Sequence, residues 1–171
     1  MNKISIQYLN TPVGEMILGS YDNKLCIADW RSRTTRESID KRVQKGLHAI
    51  FVEEESTVLK LVKEELEEYF KGVRKTFDIP LLLVGTEFQK SVWKGLIQVP
   101  YGMTASYREL ALSIDHKKAV RAVASAVGAN AISIFIPCHR IIGSDGSLTG
   151  YAGGLDTKKN LLKIENKLFS I

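Results

Sequence analysis

Thr86-Glu87-Phe88-Gln89 and Ser106-Tyr107-Arg108-Glu109 are the stretches on which the reading of this chain turns. Each sets a hydroxyl residue three positions before Gln or Glu, the capping-box form that opens a helix. After the first, Phe88, Val92, Trp93, Leu96 and Ile97 recur at helical spacing, and Pro100-Tyr101-Gly102 ends the run. After the second, a short helix runs to about Ser113. Ile114-Asp115-His116 then leads to a third helix, Lys117 to Val127, with inward positions Val120, Val123, Ala124 and Val127 and with Gly128 as its close. Two short helices joined by a tight turn have the outline of a helix-turn-helix. Helices paired only for packing share that outline. The outward face of the third helix carries Arg121, then the small residues Ala122, Ser125 and Ala126, so its backbone can approach either a groove or a neighbouring helix.

Upstream the texture differs. Ile4 to Leu9 alternates and meets the turn Thr11-Pro12-Val13-Gly14. Met16 to Tyr21 and Lys24 to Trp30 flank Asp22-Asn23, a hairpin signature. Arg31 to Gly46 is polar and suggests no element. Ser56 caps a helix with apolar positions Val58, Leu59, Val62, Leu66, Tyr69 and Phe70, which Gly72 ends. Val73 to Gly85 reads as a connection. The expected fold is α+β: a small N-terminal antiparallel sheet with a helix over residues 1–80, then a mainly helical C-terminal domain over 85–171.

The 171 residues are 44% hydrophobic and 25% charged, which excludes disorder as the main state. The longest apolar runs, Leu81 to Val84 and Ala131 to Pro137, are too short to span a bilayer. The first residues lack the basic-then-apolar form of a secretory signal. Two cysteines, Cys26 and Cys138, cannot build a disulfide framework, so a reducing, cytoplasmic setting is expected. Residues 1–84 hold thirteen basic and thirteen acidic side chains, and residues 85–171 hold eleven and six, so the whole net charge of +5 sits in the second half. That is a basic surface, or a face for a polyanion.

Ala131 to Ile136 is β-branched and apolar and reads as a buried strand leading into Pro137-Cys138-His139-Arg140. A thiol is mostly protonated at neutral pH, and an adjacent imidazole can serve as its base. Cysteine is also commonly just a small buried hydrophobe. The segment from Asp156 reads as a helix whose apolar face is Leu161, Leu162, Leu168 and Phe169, with Glu165 on the same face. A buried carboxylate needs a partner, and His139 or Arg140 can supply it. With His139 it would complete a nucleophile, base and orienting acid. Cys26, Cys138, His48, His116 and His139 lack the paired spacing of a zinc site, and no metal or cofactor is expected.

Ile136-Pro137-Cys138-His139-Arg140-Ile141-Ile142 resembles the active-site signature of the O6-alkylguanine-DNA alkyltransferases. The resemblance runs through most of residues 86–165, including Val92-Trp93, Ser106-Tyr107, Arg121-Ala122-Val123, Asn130, Gly150 to Gly154, and Leu161-Leu162 with Glu165. It implies a ribonuclease H-like first domain and a second domain that binds DNA and accepts the alkyl group. Cys138 would be the acceptor, His139 its base through a bridging water, and Glu165 the group that orients His139. Asn130 would hold the turn before the active-site strand. Tyr107 would help rotate the nucleotide out and assist the leaving guanine, and Arg121 would fill the gap in the stack. Arg108, Ser125 and Ser144 would join the DNA contacts. Pro137, Tyr151 and Ala152 would line the alkyl pocket. The chain departs from the family at Ala131, where Pro is usual, and at Ala124, where Gly is frequent.

The implied function is direct reversal of O6-alkylguanine, with O4-alkylthymine as a further substrate, in double-stranded DNA entered from the minor groove, by a monomer used once. Extrusion of the nucleotide is required because O6 is hidden in a paired duplex. Two other readings compete. A sensor of alkylated bases would carry another residue at the acceptor position, and Cys138 argues against it. A cysteine hydrolase would use Cys138, His139 and Glu165 but leave Arg121 and the helix-turn-helix idle.

Overall fold

The computed structural model describes residues 2–169. The chain divides into two compact units, one ending at Gly85 and the other beginning at Thr86.

The first unit is a four-stranded sheet in the order β3-β2-β1-β4, formed by β1 (Asn2–Thr11), β2 (Gly14–Tyr21), β3 (Lys24–Trp30) and β4 (Ala49–Glu53). Asp22 and Asn23 both take positive φ, 52° and 59°, the geometry of the tightest hairpin turn, and they join β2 to β3 in antiparallel pairing. The expectation of an antiparallel sheet holds for these three strands, while β4 adds a parallel edge beside β1. The intervening polar segment is helical: α1 (Arg36–Leu47) buries only Ile39 and Val43. Arg36 pairs with Asp40 at 2.7 Å and Lys41 with Glu37 at 2.7 Å, one turn apart. α2 (Thr57–Phe70) begins where Ser56 accepts a hydrogen bond from the Leu59 N–H, and it packs across β1, β2 and β3. Its buried Leu59, Val62, Leu66 and Tyr69 each contribute about 1.5–3 kcal/mol by leaving water. The connection pairs with the start of β3 on its outer edge: the Leu25 N–H donates to the Pro80 carbonyl at 2.9 Å, and the Leu82 N–H donates to the Leu25 carbonyl at 2.8 Å.

The second unit holds α3 (Glu87–Ile97), α4 (Tyr107–Ser113), α5 (Val120–Gly128) and α6 (Leu155–Glu165), with a two-strand parallel pair of β5 (Ala105–Ser106) and β6 (Ile141–Ile142). Thr86 and Gln89 form the reciprocal capping box at the start of α3. Ser106 caps α4 by accepting from the Glu109 N–H at 3.0 Å. α4 and α5 pack on each other and on α3, where the Trp93 indole donates to the Ala126 carbonyl at 2.9 Å. α5 starts at Val120 rather than Lys117, because Asp115 takes a positive φ of 60° and residues 116–119 remain in turns.

Two expected elements differ. Ala131 to Ile136 forms no strand. It is a buried coil that doubles back, with the Ile136 N–H bonded to the Ile132 carbonyl at 2.9 Å and Ile134 held at φ 74°. A β-branched residue rarely adopts that conformation, so the turn is imposed by its surroundings. The last helix ends at Glu165, and Leu168, expected on the apolar face, is 80% exposed.

Candidate active site

Asn130, at 2% exposure, supplies what a neighbouring strand would otherwise have given the Ala131–Ile136 coil. Its Oδ1 accepts from the Ile132 N–H at 2.9 Å, and its Nδ2 donates to the Ile136 carbonyl at 2.9 Å. The same Nδ2 lies 3.3 Å from Cys138 Sγ as a donor. One side chain thus fixes the turn and touches the thiol. Pro137 stands at the N-cap of a 3-10 turn, Cys138–Arg140, and every residue from Asn130 to Ile141 is buried.

His139 is fully buried, and its Nε2 meets Glu165 Oε2 at 2.6 Å. Sequence spacing left His139 and Arg140 as alternative partners for Glu165, and the carboxylate takes both. Arg140 Nε donates to Oε1 at 2.8 Å and Nη2 donates to Oε2 at 3.2 Å. The Gly102 N–H adds a contact to Oε1 at 3.3 Å, from a turn with φ 78°. Burial alone would raise the Glu165 carboxyl. Hydrogen bonds and charge from His139 and Arg140 outweigh it and bring the carboxyl down to about 2. Burial pushes the His139 imidazole below its ordinary value, against the pull of Glu165 and with the charges of Arg140 and Lys158 adding to it. A neutral ring beside an ionised carboxylate carries its proton on Nε2 and donates it to Glu165. Nδ1 is then a lone pair, buried and without a hydrogen-bond partner.

Lys158 is the residue that sequence reasoning missed. It is 0% exposed, and its Nζ donates to the Ile141 carbonyl and, at 2.9 Å, to the Thr149 carbonyl. Burial lowers its pKa to about 8, with the charge of Cys138 opposing. The signal was present in the spacing, since positions 158, 161, 162 and 165 share one helix face.

A cavity of about 210 Å³ opens on Cys138, whose own exposure is 6%. Its wall includes Tyr107, Ala124, Asn130, Tyr151 and Ala152. Pro137, expected in that wall, immediately precedes the thiol at the N-cap of its 3-10 turn. Arg121 and Ser125 are exposed on the outer face of α5 and Arg108 on α4, whereas Ala126, expected beside them, is 3% exposed and faces Trp93. Ser144 is exposed in the turn after β6. Among the described residues, no three His, Cys, Asp or Glu are grouped to hold a metal ion, and no helix is long and apolar enough to cross a membrane.

Residues 4–83 match the ribonuclease-like domain of 6-O-methylguanine DNA methyltransferase, and residues 87–167 match its DNA binding domain. The chain belongs to this family. The constitutive methylated-DNA–protein-cysteine methyltransferase of Bacillus subtilis is 40% identical over 161 residues, 91% of each protein. That of Methanosarcina barkeri is 57% identical over 101 residues, which span 59% of this chain and 64% of the relative. The structure of Mycobacterium tuberculosis OGT in complex with DNA superposes with a TM-score of 0.81 at 36% identity, over 95% of this chain and 93% of that one. The N-terminal sheet unit and the helical second unit are the architecture of that neighbour.

Proposed function

We propose that this methyltransferase removes the alkyl group from O6 of guanine in duplex DNA, and from O4 of thymine, by moving it to Cys138 once per molecule. The reading is supported above all by one observation. A buried imidazole adjoins Cys138 in sequence, its Nε2 is held by an ionised carboxylate, and its Nδ1 is left as an unpartnered base. In the reaction the thiol proton passes through a water to His139 Nδ1. Sγ attacks the alkyl carbon in line, the S–C bond forms, and the C–O6 bond breaks with its electron pair going to oxygen. Tyr107 donates a hydrogen bond to the departing base, and the proton lost by the thiol ends on guanine. No cofactor is needed, and the thioether product has no second nucleophile to release it.

The target nucleotide leaves the stack to reach the cavity. Unstacking costs a few kcal/mol, least for a poorly paired lesion. Arg121 occupies the vacancy, and the small outer face of α5 fits the minor groove. Arg108, Ser125 and Ser144 contact the strands, and phosphate attraction to the basic half supplies affinity without regard to sequence. The protein acts as a monomer in the cytoplasm.

Intact mass after incubation with a duplex carrying one O6-methylguanine tests this reading. A gain of one methyl in place of hydrogen, mapped to Cys138, absent from Cys138→Ala and equal to the lesions lost, is the expected result. Binding without mass gain would make the protein a lesion sensor. Repeated turnover would refute the single use.

A further inference from the structure

Tyr107 lines the cavity, and its hydroxyl is not alone. Thr149 Oγ1 donates to Tyr107 OH at 3.0 Å. Thr149 lies on the loop between β6 and α6, and its carbonyl accepts from the buried Lys158 Nζ at 2.9 Å. Lys158 also holds the Ile141 carbonyl, in the segment that follows Cys138. A hydroxyl has one proton to give. When Tyr107 accepts from Thr149, its own proton is left to point elsewhere, and the cavity is the side on which it meets the base. Accepting a hydrogen bond also polarises the phenol and makes it a better donor.

We infer that Thr149, anchored by Lys158, is a positioning residue that makes Tyr107 a hydrogen-bond donor toward the leaving base. The inference rests on the alkyl-transfer reading above. It makes the loop before α6 part of the chemistry as well as of the cavity. Lys158 ties that loop to the Cys138 segment, so acceptor and donor are set by a single side chain buried between two carbonyls. The relay is a chain of hydrogen bonds from Thr149 to Tyr107 to the base. Thr149 neither gains nor loses a proton in it.

The test measures single-turnover transfer from an O6-methylguanine duplex in the parent, Thr149→Val, Thr149→Ser, Tyr107→Phe and the Thr149→Val/Tyr107→Phe double variant. Valine keeps the shape of threonine and removes the donor. Thr149→Val slows transfer about fivefold, the rate equivalent of one ordinary net hydrogen bond. Thr149→Ser restores the rate. In the Tyr107→Phe background the same Val substitution changes the rate less than twofold. Duplex affinity, measured in a Cys138→Ala background, stays within twofold for Thr149→Val. An equal slowing with and without the Tyr107 hydroxyl overturns the inference, because the loss then comes from packing. A Thr149→Val protein as fast as the parent overturns it while the alkyl-transfer reading stands. Tyr107→Phe as fast as the parent removes the role of Tyr107 and the inference with it. A parent that gains no methyl refutes the functional reading itself.

Discussion

Glu165→Gln keeps the shape of the side chain and removes its charge. The side chain is 1% exposed, and its carboxylate accepts from His139, twice from Arg140, and from the Gly102 N–H. Its carboxyl is brought from the usual 4.5 down to about 2. A folded-state value below the unfolded one means that the ionised form stabilises the fold. That contribution is fully present above pH 4.5 and is lost as pH falls through about 2. The gap corresponds to about 3 kcal/mol at neutral pH, and less than about half of it remains at pH 3. Glu165→Gln is therefore expected to be about 3 kcal/mol less stable than the parent at pH 7, and the two proteins converge in acid. Urea unfolding at pH 7, 5 and 3, followed by fluorescence of the buried Trp93 in the same unit, measures both. A stability gap as wide at pH 3 as at pH 7 would refute the electrostatic account and assign the loss to packing. The same variant no longer holds the Nε2 proton of His139 firmly, so methyl transfer falls about 100-fold, the scale of a general base.

Asn130→Ala leaves the Ile132 N–H buried without its partner and takes one of two donors from the Ile136 carbonyl, which keeps the Cys138 N–H at 2.8 Å. A loss of about 1–3 kcal/mol in denaturant unfolding is expected, and a loss under about 0.5 would contradict the claim that Asn130 fixes the turn. Arg121→Ala slows transfer from duplex at least about tenfold, while transfer from the free O6-methylguanine base stays within about twofold, since only duplex DNA leaves a gap to fill. Equal slowing on both substrates would place Arg121 in the chemistry instead. Gly95→Ala sets a Cβ 2.7 Å from Ile114 Cγ2 and 3.1 Å from Leu110 Cδ1. Overpacking of about 1–3 kcal/mol outweighs the helix-propensity gain of about 1, so the melting temperature falls by a few degrees.

Elements set by local chemistry were readable from the residues themselves. Asp22-Asn23 makes its turn from its own backbone preference, and Thr86 with Gln89 makes its cap within four residues. The capped second helix and the Glu165 face belong to the same kind. Elements whose partners are distant were not readable. Ala131 to Ile136 has the composition of a strand, but the hydrogen bonds that decide its shape come from the Asn130 side chain and run back into the coil. α1 shows two buried positions and no side-chain cap, so its apolar pattern is too thin to recognise. For the site, the neighbours Cys138 and His139 stood out at once. The pairing of His139 with Glu165, 26 positions away, rested on one carboxylate in an apolar stripe. Lys158 lay in the same stripe and passed unnoticed, because lysine is rarely read as an interior residue.

The backbone strap at the start of β3 has a practical bearing on fragments of this chain. Composition placed the end of the first domain at residue 80, yet Leu82 donates to the Leu25 carbonyl and lies beyond that point. A fragment cut after Pro80 loses the Leu82 N–H and leaves the Leu25 carbonyl unpaired at the start of a strand whose residues from Leu25 to Trp30 are all buried. Such an edge is a template for intermolecular pairing and aggregation. A fragment carried to Gly85 keeps both Leu25 hydrogen bonds. Five residues of unremarkable connection thus decide whether the start of this edge strand is paired, and the shorter fragment is expected to be the more prone to aggregate.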